Sequence, residues 1–340
     1  MPVMDEKTLA YGYNMEINLT PYLIFMGCSV AACILWFFLS ARKELPAGRA
    51  AALSGLTLIL GIVLGIAGAR LVWFLCRINT HPALFSLKYD ELSYYGGAAG
   101  ITLAVWLSAK VLGLSGRGTL NSFAPMGAFL AAMVRFAEGF LAMEKVMLGV
   151  GAWMEEGIFF PVTVEFVYDE SYSEFYLAVF MFEGLFSLIA MVLSLYHKND
   201  RDRFLRTMYY LCLPQIFCES LRAMSIKWLF VRSEQLFCFL FCEGVLIWHG
   251  IRKKEKMPSP VPGIVFPGMM KKERYTFLER FSPALVGLLV CGVVIVAEFA
   301  LDGKILFRGE MIPKWVTYGF VLAGLAAMAA AEHKARLPEQ

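Results

Sequence analysis

Apolar residues fall in nine long runs along this chain, near 22–41, 51–77, 93–114, 119–143, 176–196, 204–222, 234–251, 282–301 and 315–332. A helix needs roughly 20 mostly apolar residues to cross a bilayer, and each run is close to that length. The seventh and ninth are the shortest. The pattern predicts an all-α polytopic integral membrane protein with about nine transmembrane helices. Two connections stand out by length. Residues 144–175 include a strand-like stretch, Phe159 to Val167, which predicts a small extracytoplasmic cap. Residues 252–281 are basic and dotted with proline, which predicts a cytoplasmic linker. The leading segment carries Asp5, Glu6 and Glu16 where a signal peptide has a basic region, so the first run reads as a retained span.

Composition narrows the class further. Of 340 residues, 59% are hydrophobic and 17% charged, against about 25% charged in a typical soluble domain. So much apolar surface excludes a disordered chain and an ordinary soluble enzyme. The net charge of +3 is small, and no Lys/Arg-rich patch points to nucleic acid. The eight cysteines all lie in apolar runs without a C-x-x-C pair, so they read as small core residues and not as a disulfide frame or metal site. Cys238 and Cys242 share a helix face, a spacing common by chance. No metal or organic cofactor is expected.

Charge also gives a direction. Basic residues follow the first, third, fifth and seventh runs and close the chain: Arg42, Lys43 and Arg49; Lys110 and Arg117; Lys198, Arg201, Arg203 and Arg206; Arg252 to Lys256 and Lys271 to Arg280; Lys334 and Arg336. The acids Glu144, Glu155, Glu156, Glu165, Asp169, Glu170 and Glu174 crowd the opposite side. The positive-inside rule then places the N-terminus outside and the C-terminus in the cytoplasm.

Charges inside the runs need a reason, since each costs about 2.5–3.5 kcal/mol at the bilayer centre on insertion scales. Followed from their assigned sides, Arg70, Arg135, Glu138, Glu183, Gln215, Glu219 and Arg222 all fall in the outer part of their spans, within roughly 12 Å of the outer boundary. Arg135 and Glu138 share a helix face, as do Gln215, Glu219 and Arg222. This layer of arginines and glutamates predicts a polar cavity between helices near the phosphate level of the outer leaflet. Arginine suits phosphate because its planar fork donates two parallel hydrogen bonds. Tyr94 and Tyr95 open the third span from that side, and Gly96 and Gly97 would let a headgroup approach. The alternative is that these groups only neutralise one another as interhelical ion pairs. Glu243 reads as a paired helix residue and Glu298 as near the outer surface, both outside the set.

The ordered motifs resemble those of bacterial prolipoprotein diacylglyceryl transferases. Gly68-Ala-Arg-Leu71 and Leu92-Ser-Tyr-Tyr-Gly-Gly-Ala-Ala-Gly100 are similar to a GARL helix and an S-x-H-G-G-x-x-G segment. Leu120 to Ala128 resembles a D-x-x-A-P-x-x-P-x-G helix, leading into Arg135–Glu144, a degraded G-R-x-G-N-F-x-N-x-E signature. Met181 to Leu185, Cys218 to Arg222 and Ser233-Glu-Gln235 resemble L-Y-E-A-L, V-E-x-x-R and S-x-G-Q. The likeness covers about residues 50–250. It implies a seven-helix core over 1–251, including the outer segment 144–175, followed by the linker 252–281 and an added C-terminal helix pair over 282–340.

The resemblance also implies an activity in the bacterial cytoplasmic membrane. The diacylglyceryl group of phosphatidylglycerol moves to the cysteine thiol of a lipobox-bearing secreted precursor, with release of glycerol phosphate. Arg135 would hold the lipid phosphate, Glu219 and Arg222 would shape the site, and Arg70 would support it. Several positions depart from the pattern. Tyr95 stands in place of the histidine before Gly-Gly, Val134 in place of the glycine before Arg135, and Gln215 in place of an arginine. Glu138 is then the candidate base, and Tyr95 the candidate hydroxyl that orients the phosphate. Arg135, Glu138, Tyr95 and Glu219 form the expected catalytic group; Arg70, Gly96, Gly97, Glu183, Gln215 and Arg222 form the expected substrate-binding group. The alternatives are a non-catalytic relative that binds phospholipid or a partner protein, and a transporter. A transporter predicts polar residues continuing to the cytoplasmic face, and its site usually lies near the midplane.

Overall fold

The computed structural model describes residues 18–77, 91–169, 172–224, 227–228, 231–252, 276–307 and 310–336. Most of the predicted cytoplasmic linker lies outside the described residues. The described part is a helical bundle with three small antiparallel sheets. Four helices come first: α1 (Thr20–Ala41), α2 (Ala47–Cys76), α3 (Tyr94–Val111) and α4 (Gly116–Met143). The strands β1 (Trp153–Met154), β2 (Thr163–Asp169) and β3 (Tyr172–Leu177) follow, then α5 (Val179–Tyr196) and α6 (Arg203–Leu221). The hairpin β4 (Lys227–Trp228) and β5 (Val231–Arg232) leads to α7 (Ser233–Arg252). The last elements are α8 (Phe277–Leu301), the hairpin β6 (Leu306–Phe307) and β7 (Glu310–Met311), and α9 (Lys314–Arg336).

A helix falls on each of the nine apolar runs. Seven of these helices are long and apolar enough to cross a membrane, so the chain is a multi-pass membrane protein. The two outside the seven are α3 and α6. The first opens on Tyr94-Tyr95-Gly96-Gly97 and closes near Lys110, and the second carries Arg203, Arg206, Gln215 and Glu219. Their polar residues lower their hydropathy. The runs expected to be shortest form α7 and α9, with 20 and 23 residues. The strand expected from Phe159 instead begins at Thr163, and β3 pairs with both β2 and β1.

Helix starts follow local chemistry. The Ser93 and Ser115 hydroxyls accept from the amides of Gly96 and Gly118 at the N-termini of α3 and α4, and Thr276 and Glu279 form a reciprocal capping box on α8. At one end of the bundle the charges interlock. Arg252 pairs with Asp202 at 2.5 Å, and Arg336 pairs with Asp200 at 2.8 Å. Asn121 donates to the Arg201 carbonyl at 2.8 Å, and Arg280 to that of Gly250 at 3.0 Å. At the other end Ser93 N–H donates to the Ala69 carbonyl and Ala223 N–H to that of Val150.

Two apolar cores divide the bundle. Cys33, Phe37, Leu53, Val105 and Phe123 pack among α1–α4. Tyr209, Ile216, Leu246, Val290 and Met328 pack among α6–α9. A third cluster, with Val150, Val164, Phe166 and Phe180, seats the three-stranded sheet on α4 and α5. Helices α2 and α3 approach most closely through glycine. A Cβ on Gly96 would lie 2.3 Å from the Gly68 carbonyl oxygen, and one on Gly100 would lie 2.0 Å from that of Leu64.

Candidate functional site

Helix α4 carries Arg135 and Glu138 one turn apart on a buried face, and α5 presents Glu183 toward them. Helix α6 adds Gln215 and Glu219 and stops at Leu221. Arg222 is extended (φ −67°, ψ 135°), bridged on its backbone to Gly151 of the segment before β1, with its side chain in the network. Helix α7 begins at Ser233 and contributes Glu234 from its first turn.

These side chains form one network. Arg135 donates to Glu138 Oε1 at 2.7 Å, and its Nε lies 3.2 Å from Glu183 Oε2. Arg222 reaches Glu138 Oε2 at 3.1 Å and both oxygens of Glu183, at 2.9 and 2.5 Å. Its Nε also lies 3.5 Å from Glu219 Oε1. Gln215 donates to Glu183 at 2.5 Å and to Glu219 at 3.3 Å. The network is buried: Arg135 and Glu219 are 1% exposed and Glu183 2%. Removing one partner from such a cluster typically costs about 3–5 kcal/mol, because the other charge stays buried without compensation.

Two members lie outside the expected catalytic and substrate-binding groups. The ring of Tyr94, not Tyr95, stacks on Arg135, with the guanidinium carbon 3.8 Å from the ring centre. Adjacent residues on a helix point about 100° apart, so the pair could be placed at the helix start but not assigned between them. Tyr95 packs against the α6–α9 core and also lines a cavity. Glu234 accepts from Tyr94 N–H at 3.2 Å and sits 4.0 Å from Arg135. Its signal was an acid at the start of the seventh run, in the same outer layer as the others.

The remaining candidates divide. Arg70 is buried, pairs with Glu91 at 2.8 Å and lies over Trp73. Its guanidinium also donates to the Glu91 carbonyl, in the segment that leads into α3. Gly96 is used against Gly68 between helices, whereas Gly97 lines a cavity. One residue outside the set differs from its reading. Glu243, expected to be paired, has neither carboxylate oxygen in a hydrogen bond among the described residues and lies over Gly287. Glu298, expected near the outer surface, holds Arg232 at 3.3 Å.

The cavity measures about 270 Å³. At one end it meets Arg135, Glu138, Arg222 and Glu234; further along it is walled by apolar residues such as Ile101, Leu130 and Met208, and it reaches Phe123 and Phe204. Arg135 Nη2 is buried and makes no hydrogen bond among the described residues; it faces Glu234 Oε2 at 4.0 Å.

The model of the prolipoprotein diacylglyceryl transferase family matches residues 13–249, more than two-thirds of the chain. The chain belongs to the prolipoprotein diacylglyceryl transferase family. No curated protein and no solved structure matches it. The family is a transferase family, and every residue of the charged network, from Arg135 to Glu234, lies within the matched stretch. Helices α8 and α9 lie beyond it.

Proposed function

We propose that this diacylglyceryl transferase relative binds phosphatidylglycerol with its phosphate on Arg135 and transfers the diacylglyceryl group to a lipobox cysteine at the outer leaflet. The observation that carries the reading is a cavity lined at one end by Arg135 and Arg222 and along most of its length by apolar residues. Along α4 the cavity runs from Arg135 to Phe123, twelve residues, or about 18 Å. That depth accommodates an extended acyl segment. In the reaction the cysteine sulfur forms a bond to the terminal glyceryl carbon, and the carbon–oxygen bond to phosphate breaks. Glycerol phosphate leaves, and the thiol proton passes to a carboxylate. Arg135, with Arg222 behind it, stabilises charge developing on the departing phosphate.

Glu138 and Glu234 are the carboxylates that line the cavity. Both oxygens of Glu138 already accept from guanidiniums, while Glu234 Oε2 has Arg135 only at 4.0 Å. Glu234 is therefore the better placed base, with Glu138 fixing the two arginines. Glu219 and Glu183 act behind them as counter-charges. In the same reading residues 1–251 form the catalytic core and α8–α9 an addition to it. The enzyme lies in the bacterial cytoplasmic membrane with its basic ends inside and its N-terminus outside.

A second reading, a relative without turnover, draws on one feature, since guanidiniums already neutralised by carboxylates have little charge left to stabilise a departing phosphate. Two guanidiniums face four carboxylates, those of Glu138, Glu183, Glu219 and Glu234. The test is to incubate the full-length protein in bilayer discs with labelled phosphatidylglycerol and a lipobox peptide. Transfer of label to the peptide cysteine, lowered about 100-fold or more in Glu234→Gln, is the expected result. Undiminished transfer in Glu138→Gln would confine that residue to packing. Phosphatidylglycerol binding without transfer would establish the second reading, and neither binding nor transfer would remove both.

A further inference from the structure

Helix α6 delivers Gln215, Glu219 and Arg222 to the network, and it ends within the outer layer. A helix end leaves its last carbonyls without intrahelical donors. Here the Glu219 carbonyl accepts from the Arg222 amide at 3.3 Å, and Arg232 of β5 adds a charged donor: its Nη1 donates to the Glu219 carbonyl at 2.6 Å and to the Arg222 carbonyl at 2.9 Å. Arg232 is itself held by Glu298 of α8, Nε to Oε2 at 3.3 Å. The other oxygen of Glu298 accepts from the Ser220 hydroxyl at 2.5 Å and from Gln235 Nε2 at 3.1 Å. Gln235 in turn reaches the Ile216 carbonyl at 2.9 Å. From α9, Tyr318 packs edge-on against Phe217 on the same turn of α6, ring centres 5.8 Å apart.

One carboxylate on α8 thus gathers donors from α6, β5 and α7 around the last turn of α6. Ser220 and Gln235 are buried, and the Glu298 and Arg232 side chains are 19% and 15% exposed. An ion pair this shielded is worth more than an exposed one. Its partners hold the main chain of the two residues, Glu219 and Arg222, whose side chains enter the network. The helix that provides it lies beyond the family match.

We propose that Glu298 is a positioning residue: acting through Arg232, Ser220 and Gln235, it fixes the end of α6 and so the direction in which Arg222 and Glu219 enter the site. The helix pair α8–α9 thereby becomes part of the site's support. The consequence for turnover rests on the transferase reading; the effect on α6 does not.

Hydrogen exchange on the full-length protein in bilayer discs separates the two. In Glu298→Ala, amides 219–224 should exchange about tenfold faster than in the wild type, with α1 and α2 unchanged. Glu298→Gln keeps an oxygen for Ser220 but not the charge for Arg232, so it should fall between them. In the transfer assay Glu298→Ala should lower kcat about tenfold with little change in KM for phosphatidylglycerol, the split expected when a group that stabilises the departing phosphate is misplaced and the protein remains folded. Wild-type exchange at 219–224 in both variants would overturn the proposal, as would a uniform rise across all helices. Faster local exchange in a protein that shows no transfer would uphold the positioning role and reject the transferase reading alone.

Discussion

Arg135 and Arg222 are each held by carboxylates from more than one helix. Glu138 is central, with one oxygen on each guanidinium. Its position depends on Gly149, which has φ +75° and whose Cβ would lie 2.2 Å from Glu138 Oε2. Gly149→Ala should cost about 1–2 kcal/mol from the left-handed backbone alone. It should also push Glu138 off Arg222. The expected outcome is a lower thermal midpoint in detergent together with loss of transfer; a variant with wild-type midpoint and turnover would contradict this. The charged residues of the layer were legible in the sequence because each is anomalous in an apolar run. Tyr94 and Glu234 were not, because a stacking ring and a first-turn acid are ordinary residues until the fold sets them against Arg135. Gly96 was legible as a close approach, but its partner is another helix and not a headgroup.

Helices were the easiest elements to read, since crossing a bilayer demands long apolar runs. Two-residue strands such as β4–β5 and β6–β7 leave no such signal. Yet the first of these hairpins supplies Arg232, the cap on α6. The three-stranded sheet was visible only as a strand-like stretch, and its true start at Thr163 follows from pairing with β3. Helix pairing depended on small residues. The α2–α3 contact places Gly68, Gly96 and Gly100 against facing backbone, which cannot yield as a flexible side chain does. Gly100→Val should therefore separate these helices and cost about 1–3 kcal/mol as overpacking. A clear fall in the thermal midpoint of the purified protein is expected, and an unchanged midpoint would show that the contact is looser than described.

Across the whole molecule the two ends of the bundle differ. One holds the sheet, the α6 cap and the charged network; the other is closed by ion pairs on the turn between α5 and α6. There Asp200 ties the last turn of α9 to the bundle through Arg336 and also pairs with Arg206. Partial burial pushes the Asp200 carboxyl up, but the Asp202 amide, Arg336 and Arg206 outweigh it and hold the group below its ordinary value of 3.8. A carboxylate depressed in this way contributes its full stabilisation above its ordinary pKa and loses it as pH falls through the folded value. Amides 330–336 should thus exchange at a chemistry-corrected rate that is flat from about pH 8 to 5 and rises below about pH 4; Asp200→Asn should remove the acid dependence. Persistence of the acid-induced rise in that variant would assign it to another group. The central claim concerns the opposite end, where a lipid phosphate meets Arg135 and an acyl chain follows α4 toward Phe123. Single-particle imaging of the protein in discs containing phosphatidylglycerol tests it directly. The account predicts headgroup density against Arg135 and chain density beside Leu130; an empty cavity, with lipid ordered only on the outer surface of the bundle, would contradict it.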